Sequence, residues 1–274
     1  MKIIVPIKQV PETGNVRMDH TTGTIIREGV ESIINPLDLY AIEIALRIKE
    51  AHQGSVVIPI SMGPPSAARC LREAISMGCD DGVLLSAKEF AGSDTWSTAK
   101  IISEACNKIG NFDLIITGER ATDGDTAQVG PGVATFLDIP IATYVSQIKE
   151  IGKNNIIVSR LVEGGYEILS LPRPCLLTVL KEIAIPRLPK LSGKQLAQKV
   201  SLTEWSINDL PSLNAEEVGL AGSPTRVVKI DTPKVTRQGK KFLVTNEKEL
   251  EESVEALLMF LREKNLISKK ELEI

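Results

Sequence analysis

Four short runs, IIVPI, VVIPI, VLL and LIIT, constrain this chain most, because apolar residues fill adjacent positions in each rather than alternate ones. A strand that can face water on neither side belongs inside a parallel sheet covered on both faces. The runs fall at residues 2–7, 56–61, 82–86 and 113–117. Segments of helical period lie between them, at about 36–51, 65–77 and 94–109. Strand, helix and strand in regular alternation predict an α/β fold with a doubly wound, mostly parallel sheet.

Helix ends are marked by local chemistry. Asn35-Pro36-Leu37-Asp38 offers a capping residue, a proline for the first helical position and an acid for the first turn. Ile42, Ala45, Leu46 and Lys49 follow at helical spacing, with Glu43 and Arg47 one turn apart on the outer side. Asp94 and Gly110 bracket the third helix, whose stripe is Ile101, Ile102, Ala105 and Ile109. Beyond about residue 140 the pattern changes. Residues 156–161, 166–171 and 176–180 read as strands, the first two joined by a Gly164-Gly165 turn. They predict a mixed extension of the sheet. From Pro186 the chain reads as less regular, until a helix at about 247–264 carrying Leu250, Val254, Leu257, Leu258 and Leu261. The expected division is an α/β domain at 1–190 and an extended segment with a docking helix at 191–274.

Scarce residues narrow the chemistry. The chain has two histidines, His20 and His52, and four cysteines, Cys70, Cys79, Cys106 and Cys175. With no CxxC, HxxxH or HExxH spacing, no protein-ligated metal is expected. Scattered thiols suit a reducing cytoplasm. No apolar run reaches the ~18–20 residues of a membrane span, and MKIIVPIKQVPE is too soon interrupted for a signal peptide. Charges nearly balance at −3, so nucleic acid is not an expected partner. Either the chain does no chemistry, or something bound to it does.

The segment Gly118-Glu119-Arg120-Ala121-Thr122-Asp123-Gly124-Asp125-Thr126-Ala127-Gln128-Val129 is the strongest candidate for holding such a group. It follows the LIIT strand and enters a helix expected at about 126–137. Open α/β sheets bind ligands at the carboxyl ends of their strands, and a helix N-terminus favours an anion. The segment matches neither GxGxxG nor a Walker motif. Asp-Gly as a tight turn, with Asp125 or Thr126 as a helix cap, is an equally open reading. The two aspartates would cap N–H groups or hold ribose hydroxyls rather than face a phosphate. Pro6 and Lys8 after the first strand, Met62 in Ser61-Met62-Gly63-Pro64, and the Asn35 helix start lie at the same expected edge.

These residues resemble the β subunit of electron transfer flavoprotein. The match covers essentially the whole chain, and its most specific part is Val158-x-Arg160-x-x-Glu163-Gly164-Gly165-x-Glu167-x-Leu169, followed by Pro174-x-Leu176-Leu177-Thr178. The resemblance implies a Rossmann-like fold of the adenine nucleotide alpha hydrolase kind with a C-terminal arm. It implies a heterodimer with a flavin-bearing α subunit. It also implies a nucleotide site at Pro6, at Asn35, Pro36, Leu37 and Asp38, at Met62, and along the run from Gly118 to Val129. Two versions exist: a carrier holding structural AMP, and an electron-bifurcating form holding FAD reduced by NADH. Residues 10–19, 23–29 and 123–131 resemble the bifurcating and nitrogen-fixation-type subunits, which implies ferredoxin or flavodoxin as one acceptor. A flavin dehydrogenase of acyl-CoA or hydroxy-acid type is the implied other partner. Gly124 and Thr126 leave backbone open for a pyrophosphate, which FAD has and AMP lacks. By the same resemblance, Arg160–Glu167 contributes to the subunit interface. The stretch Pro186-Arg187-Leu188-Pro189-Lys190-Leu191 recognises the dehydrogenase through Leu188, and the tail from about Val235 wraps the α subunit. An adenine-nucleotide sensor sharing only the sheet would leave residues 158–178 and the tail unexplained.

Overall fold

Dry strands and amphipathic helices alternate along most of the chain. The computed structural model describes residues 1–12, 17–18, 25–26, 32–228 and 239–267. His20 lies outside them, and the stretches 10–19, 23–29 and 235–274 named above lie only partly within them. In order the elements are β1 (Lys2–Pro6), β2 (Gln9–Pro11), β3 (Arg17–Met18), β4 (Ile25–Ile26), β5 (Ser32–Ile34), α1 (Asp38–Ala51), β6 (Val56–Met62), α2 (Ala68–Met77), β7 (Val83–Leu85) and α3 (Thr95–Ile109). There follow β8 (Leu114–Gly118), α4 (Val129–Leu137), β9 (Ile141–Ile151), β10 (Asn155–Val162), β11 (Gly165–Pro172), β12 (Cys175–Val179), α5 (Leu191–Lys199), β13 (Thr203–Trp205), α6 (Gly219–Gly222) and α7 (Glu247–Glu263).

Nine strands form one sheet in the order β11-β10-β9-β12-β8-β1-β6-β7-β13. From β9 to β13 each neighbouring pair is parallel, and β9-β10-β11 form an antiparallel meander at one edge. The α/β expectation and its mixed extension hold. Alternate residues of each inner strand serve opposite faces. Ile3, Val5, Leu114, Ile116 and Leu177 pack with α1 and α2, whereas Ile4, Ile115 and Leu176 pack with α3 and α4. That two-sided burial is why the four runs carry no polar alternation.

Two features differ from the expectation. β9 is a long strand that the sequence hides: its polar residues alternate irregularly, Tyr144 has a positive φ of 56°, and its pairing with β10 shifts register twice. The described residues beyond 190 also form regular elements. Contacts gather Met1–Lys229 into one unit and Ile230–Ile274 into a second. α5 packs on α2, β13 extends the sheet beside β7, and Leu210, Leu213 and Val218 are buried. The expected boundary at 190 therefore falls inside the first unit. In the second unit, the Asn246 side chain caps α7 by accepting the Glu249 N–H at 2.9 Å. Leu250, Val254 and Leu257 on this helix stay about half exposed. Among the described residues no helix is long and apolar enough to cross a membrane.

Candidate functional site

The strand order creates a switch point. From β1 the chain steps outward to β6 and β7, then returns to β8 on the other side of β1. The connections leaving β1 and β8 therefore diverge, opening a crevice where Pro6 and Gly118 end their strands. A cleft of about 310 Å³ lies there. Of the expected residues, Pro6, Asp38, Met62, Gly118, Glu119, Arg120, Ala121, Gly124, Thr126, Ala127, Gln128 and Val129 line it. Asn35, Pro36, Leu37, Thr122, Asp123 and Asp125 do not line it; some of them support those that do.

Asn35 is the main support, and it does not cap the helix. α1 starts at Asp38, with Leu37 in the cap position and no side-chain cap. The Asn35 amide instead donates to the Arg120 carbonyl at 2.9 Å and accepts the Thr122 N–H at 3.1 Å. One side chain thus pins the site loop to the start of α1. Asp38 pins the other strand, accepting the Lys8 N–H at 2.8 Å. Gly118 allows the approach: a Cβ there would lie 2.5 Å from Asp38 Oδ1 and 2.8 Å from the Leu37 carbonyl carbon. Burial pushes the Asp38 carboxyl up to about 7, against hydrogen bonds from Lys8, Asn35 and Gly118 and the Lys8 charge, all of which favour its ionised form.

The 118–129 loop is folded on itself. Asp125 N–H reaches the Ala121 carbonyl at 2.8 Å. Asp125 and Ala127 adopt left-handed conformations, with φ of 53° and 55°. Ala127 therefore cannot start a helix, and α4 begins at Val129, later than expected. The N–H groups of Val129 and Gly130 precede any carbonyl their own helix can offer, and Pro131 has none. The two aspartates face cations: Lys8 Nζ lies 2.7 Å from Asp123, and Arg120 Nε lies 3.1 Å from Asp125. Among the described residues neither aspartate caps a backbone N–H, which corrects that half of the expectation. Nothing lies within 4 Å of a Cβ at Gly124, so that side of the loop is open.

Sequence reasoning missed the far wall, where Ser93, Asp94, Thr95, Thr98 and Ile102 line the cleft from the start of α3. Thr95 Oγ1 donates to Gln128 Oε1 at 2.8 Å, joining this wall to α4. The Asp94 cap was legible, but its place beside the site depends on the strand order. Thr117, the last residue before the loop, is 7% exposed, and its Oγ1 is buried with no hydrogen-bond partner. An unpaired hydroxyl, a fresh helix N-terminus, a lysine at the rim and an apolar floor of Pro6, Met62 and Ile102 suit a phosphate-bearing nucleotide. The acidic side chains oppose one, and the Lys8 and Arg120 pairs offset them.

A family profile for the electron transfer flavoprotein domain matches residues 22–210. The electron transfer flavoprotein subunit beta of Thermoanaerobacterium thermosaccharolyticum is 46% identical over 257 residues, covering 94% of this chain and 98% of its own. The caffeyl-CoA reductase-Etf complex subunit CarD of Acetobacterium woodii is 42% identical over 267 residues, covering 97% and 100%. Protein FixA of Azotobacter vinelandii is 40% identical over 273 residues, covering 97% of each chain. The chain belongs to the electron transfer flavoprotein family, as a β subunit.

Two further segments of this flavoprotein subunit were marked by sequence. In the β10–β11 hairpin Arg160 stands opposite Glu167, with Nη1 3.7 Å from the carboxylate. Tyr166 and Ile168 beside them are mostly exposed. The 186–191 loop holds Leu188 outward at 86% exposure.

Proposed function

We propose that this chain is the β subunit of an electron-bifurcating electron transfer flavoprotein, binding FAD in the crevice between β1 and β8. The loop from Gly118 to Val129 carries the proposal. Its left-handed residues Asp125 and Ala127 delay the helix, and the side-chain-free position at Gly124 leaves space beside the loop, which supports a pyrophosphate held by the N–H groups that follow Asp125. Flavin chemistry would supply hydride acceptance from NADH and the division of electrons between a ferredoxin or flavodoxin and, through the α-subunit flavin, a dehydrogenase.

The chain's own part is holding and shielding. The Val129 and Gly130 N–H groups and the Thr117 hydroxyl bind phosphate oxygens. Lys8 balances phosphate charge at the rim, and Pro6, Met62 and Ile102 exclude water beneath the nucleotide. Arg160–Glu167 and the tail from about Val235 would contact the α subunit. Leu188 would enter a pocket on the dehydrogenase. Likeness to a protein named for a caffeyl-CoA reductase complex supports an acyl-CoA type of dehydrogenase over a hydroxy-acid type.

The test is to purify the chain with its α subunit, release the bound cofactors and count them. Two FAD and no AMP per heterodimer is the expected result. One FAD with one AMP overturns bifurcation and leaves a carrier with a structural nucleotide. NADH should also bleach the second flavin directly.

A further inference from the structure

The loop that presents Leu188 is itself held down. On its near side Ala184 is buried. On its far side α5 packs against α2 so closely that a Cβ at Gly193 would collide with the Ser76 carbonyl. Arg72 also reaches from α2 to the carbonyls of Ala197 and Val200. Between these anchors, Ile185, Leu188 and Leu191 are 84%, 86% and 77% exposed. Three outward apolar side chains in seven residues would tend to collapse onto the surface if the backbone were free.

Arg187 does most to prevent that, beside one long bond from Arg47 Nη2 to the Ile185 carbonyl at 3.5 Å. Arg187, between Pro186 and Leu188, turns inward to α1. Its Nε lies 2.7 Å from Glu43 Oε2 and its Nη1 2.5 Å from Glu50 Oε1. Its backbone N–H also reaches Glu43 Oε2, at 3.1 Å. Glu43 is 3% exposed and takes a second guanidinium, Arg47 Nε at 2.7 Å. Burial alone would raise the Glu43 carboxyl, but the two guanidiniums outweigh it and hold the group below its usual range. A charge-assisted fork on a nearly dry carboxylate is far stiffer than an exposed surface pair.

We propose that Arg187 is a positioning residue: by clamping the loop to α1 through Glu43 and Glu50, it keeps Leu188 preformed for an apolar pocket on the partner dehydrogenase. The inference rests on the docking role given to this loop above. Pre-ordering removes an entropy cost that would otherwise fall on association. The clamp therefore acts on the apparent affinity of the two proteins and not on electron transfer once they have met.

The test uses the cofactor-loaded heterodimer with Arg187→Met and Leu188→Ala, and an acyl-CoA dehydrogenase that accepts electrons from the unaltered dimer. In Arg187→Met, backbone amide exchange over residues 185–190 should speed up roughly tenfold, and the dehydrogenase's KM for the dimer should rise roughly tenfold with kcat unchanged. In Leu188→Ala, KM should rise while exchange stays as before. Cofactor content should be unaltered in both. If Arg187→Met unfolds because buried Glu43 is left with Arg47 alone, Arg187→Lys keeps the charge, loses the fork and gives the same comparison. Unchanged exchange without the fork overturns the inference, and so does faster exchange with an unchanged KM. An unaffected KM in Leu188→Ala overturns instead the docking role on which the inference depends.

Discussion

Asp38 gives the site a pH dependence of stability that can be worked out in sign and size. Its carboxyl is 6% exposed and is raised from 3.8 to about 7. Between those two values the folded chain holds a proton that the unfolded chain has released. Folding takes up that proton, so stability falls as pH rises through the window. The contribution is fully present below 3.8 and is lost once pH passes about 7. At ~1.36 kcal/mol per pKa unit, the shift amounts to about 4 kcal/mol. Asp38→Asn is the reference. It cannot ionise, and its amide faces the donors of Asn35 and Gly118 at a cost that does not change with pH. Urea unfolding of the heterodimer, at fixed protein and cofactor concentration, should be followed from about pH 4 to 8 for both proteins. The wild-type stability minus that of the variant should decline by ~1.4 kcal/mol per pH unit through the middle of this range and then level off. A difference that stays flat, or that grows with pH, refutes the argument that burial outweighs the donors around this carboxyl.

Other predictions follow from the same geometry. Gly118→Ala places a Cβ 2.5 Å from Asp38 Oδ1. It should cost ~1–3 kcal/mol in the unfolding midpoint and strip nucleotide during gel filtration; retained nucleotide would show that α1 can yield. Asn35→Ala removes both bonds that pin residues 120–122. It should lower stability by ~1–3 kcal/mol and weaken nucleotide retention further than that loss alone explains, measured by titrating the nucleotide back. Lys8→Met breaks a partly exposed pair with Asp123. It should change stability by less than ~1 kcal/mol, yet lower nucleotide affinity and flatten its salt dependence. All four thiols are buried and pushed up to about 12, so iodoacetamide at mild alkaline pH should leave the folded protein unlabelled and add four groups after unfolding.

What the sequence made legible was whatever a local pattern controls. Four strands without alternation announced a two-sided sheet, and Asp94 announced its helix by a cap it does supply, accepting the Ser97 N–H at 3.0 Å. Asn35 shows where local reading stops. The same residue type and the same proline neighbour suggested a cap, but the amide is used on a loop eighty-odd positions away. A long-range bond of that kind has no signature in spacing. β9 was invisible because its bulges break the period by which a strand is read. Residues 191–228 looked irregular because each element there is short, and packing such as that on α2 and β7 makes them regular.

The site's economy follows from the same distinction. Asn35, Asp38 and Gly118 come from two connections, and each works through backbone: two bonds to the loop main chain, one from the Lys8 N–H, and one absent Cβ. None is a nucleophile. Asp38 is the only one of the three that titrates, and it is almost wholly buried at the cleft wall. The described cysteines are likewise buried and protonated at neutral pH. On the proposed function, such a chain would contribute geometry and leave reactivity to a bound group, the division expected of a subunit in an electron-transfer family. The division also separates the consequences of mutation. Changes at Asn35, Asp38 or Gly118 should appear first as loss of nucleotide, and changes at Arg187 or Leu188 as weaker association with the nucleotide still bound. A variant at Gly118 that kept its nucleotide but lost docking would show that crevice and loop are coupled through α1, which carries Asp38 at one end and Glu43 and Glu50 along its length.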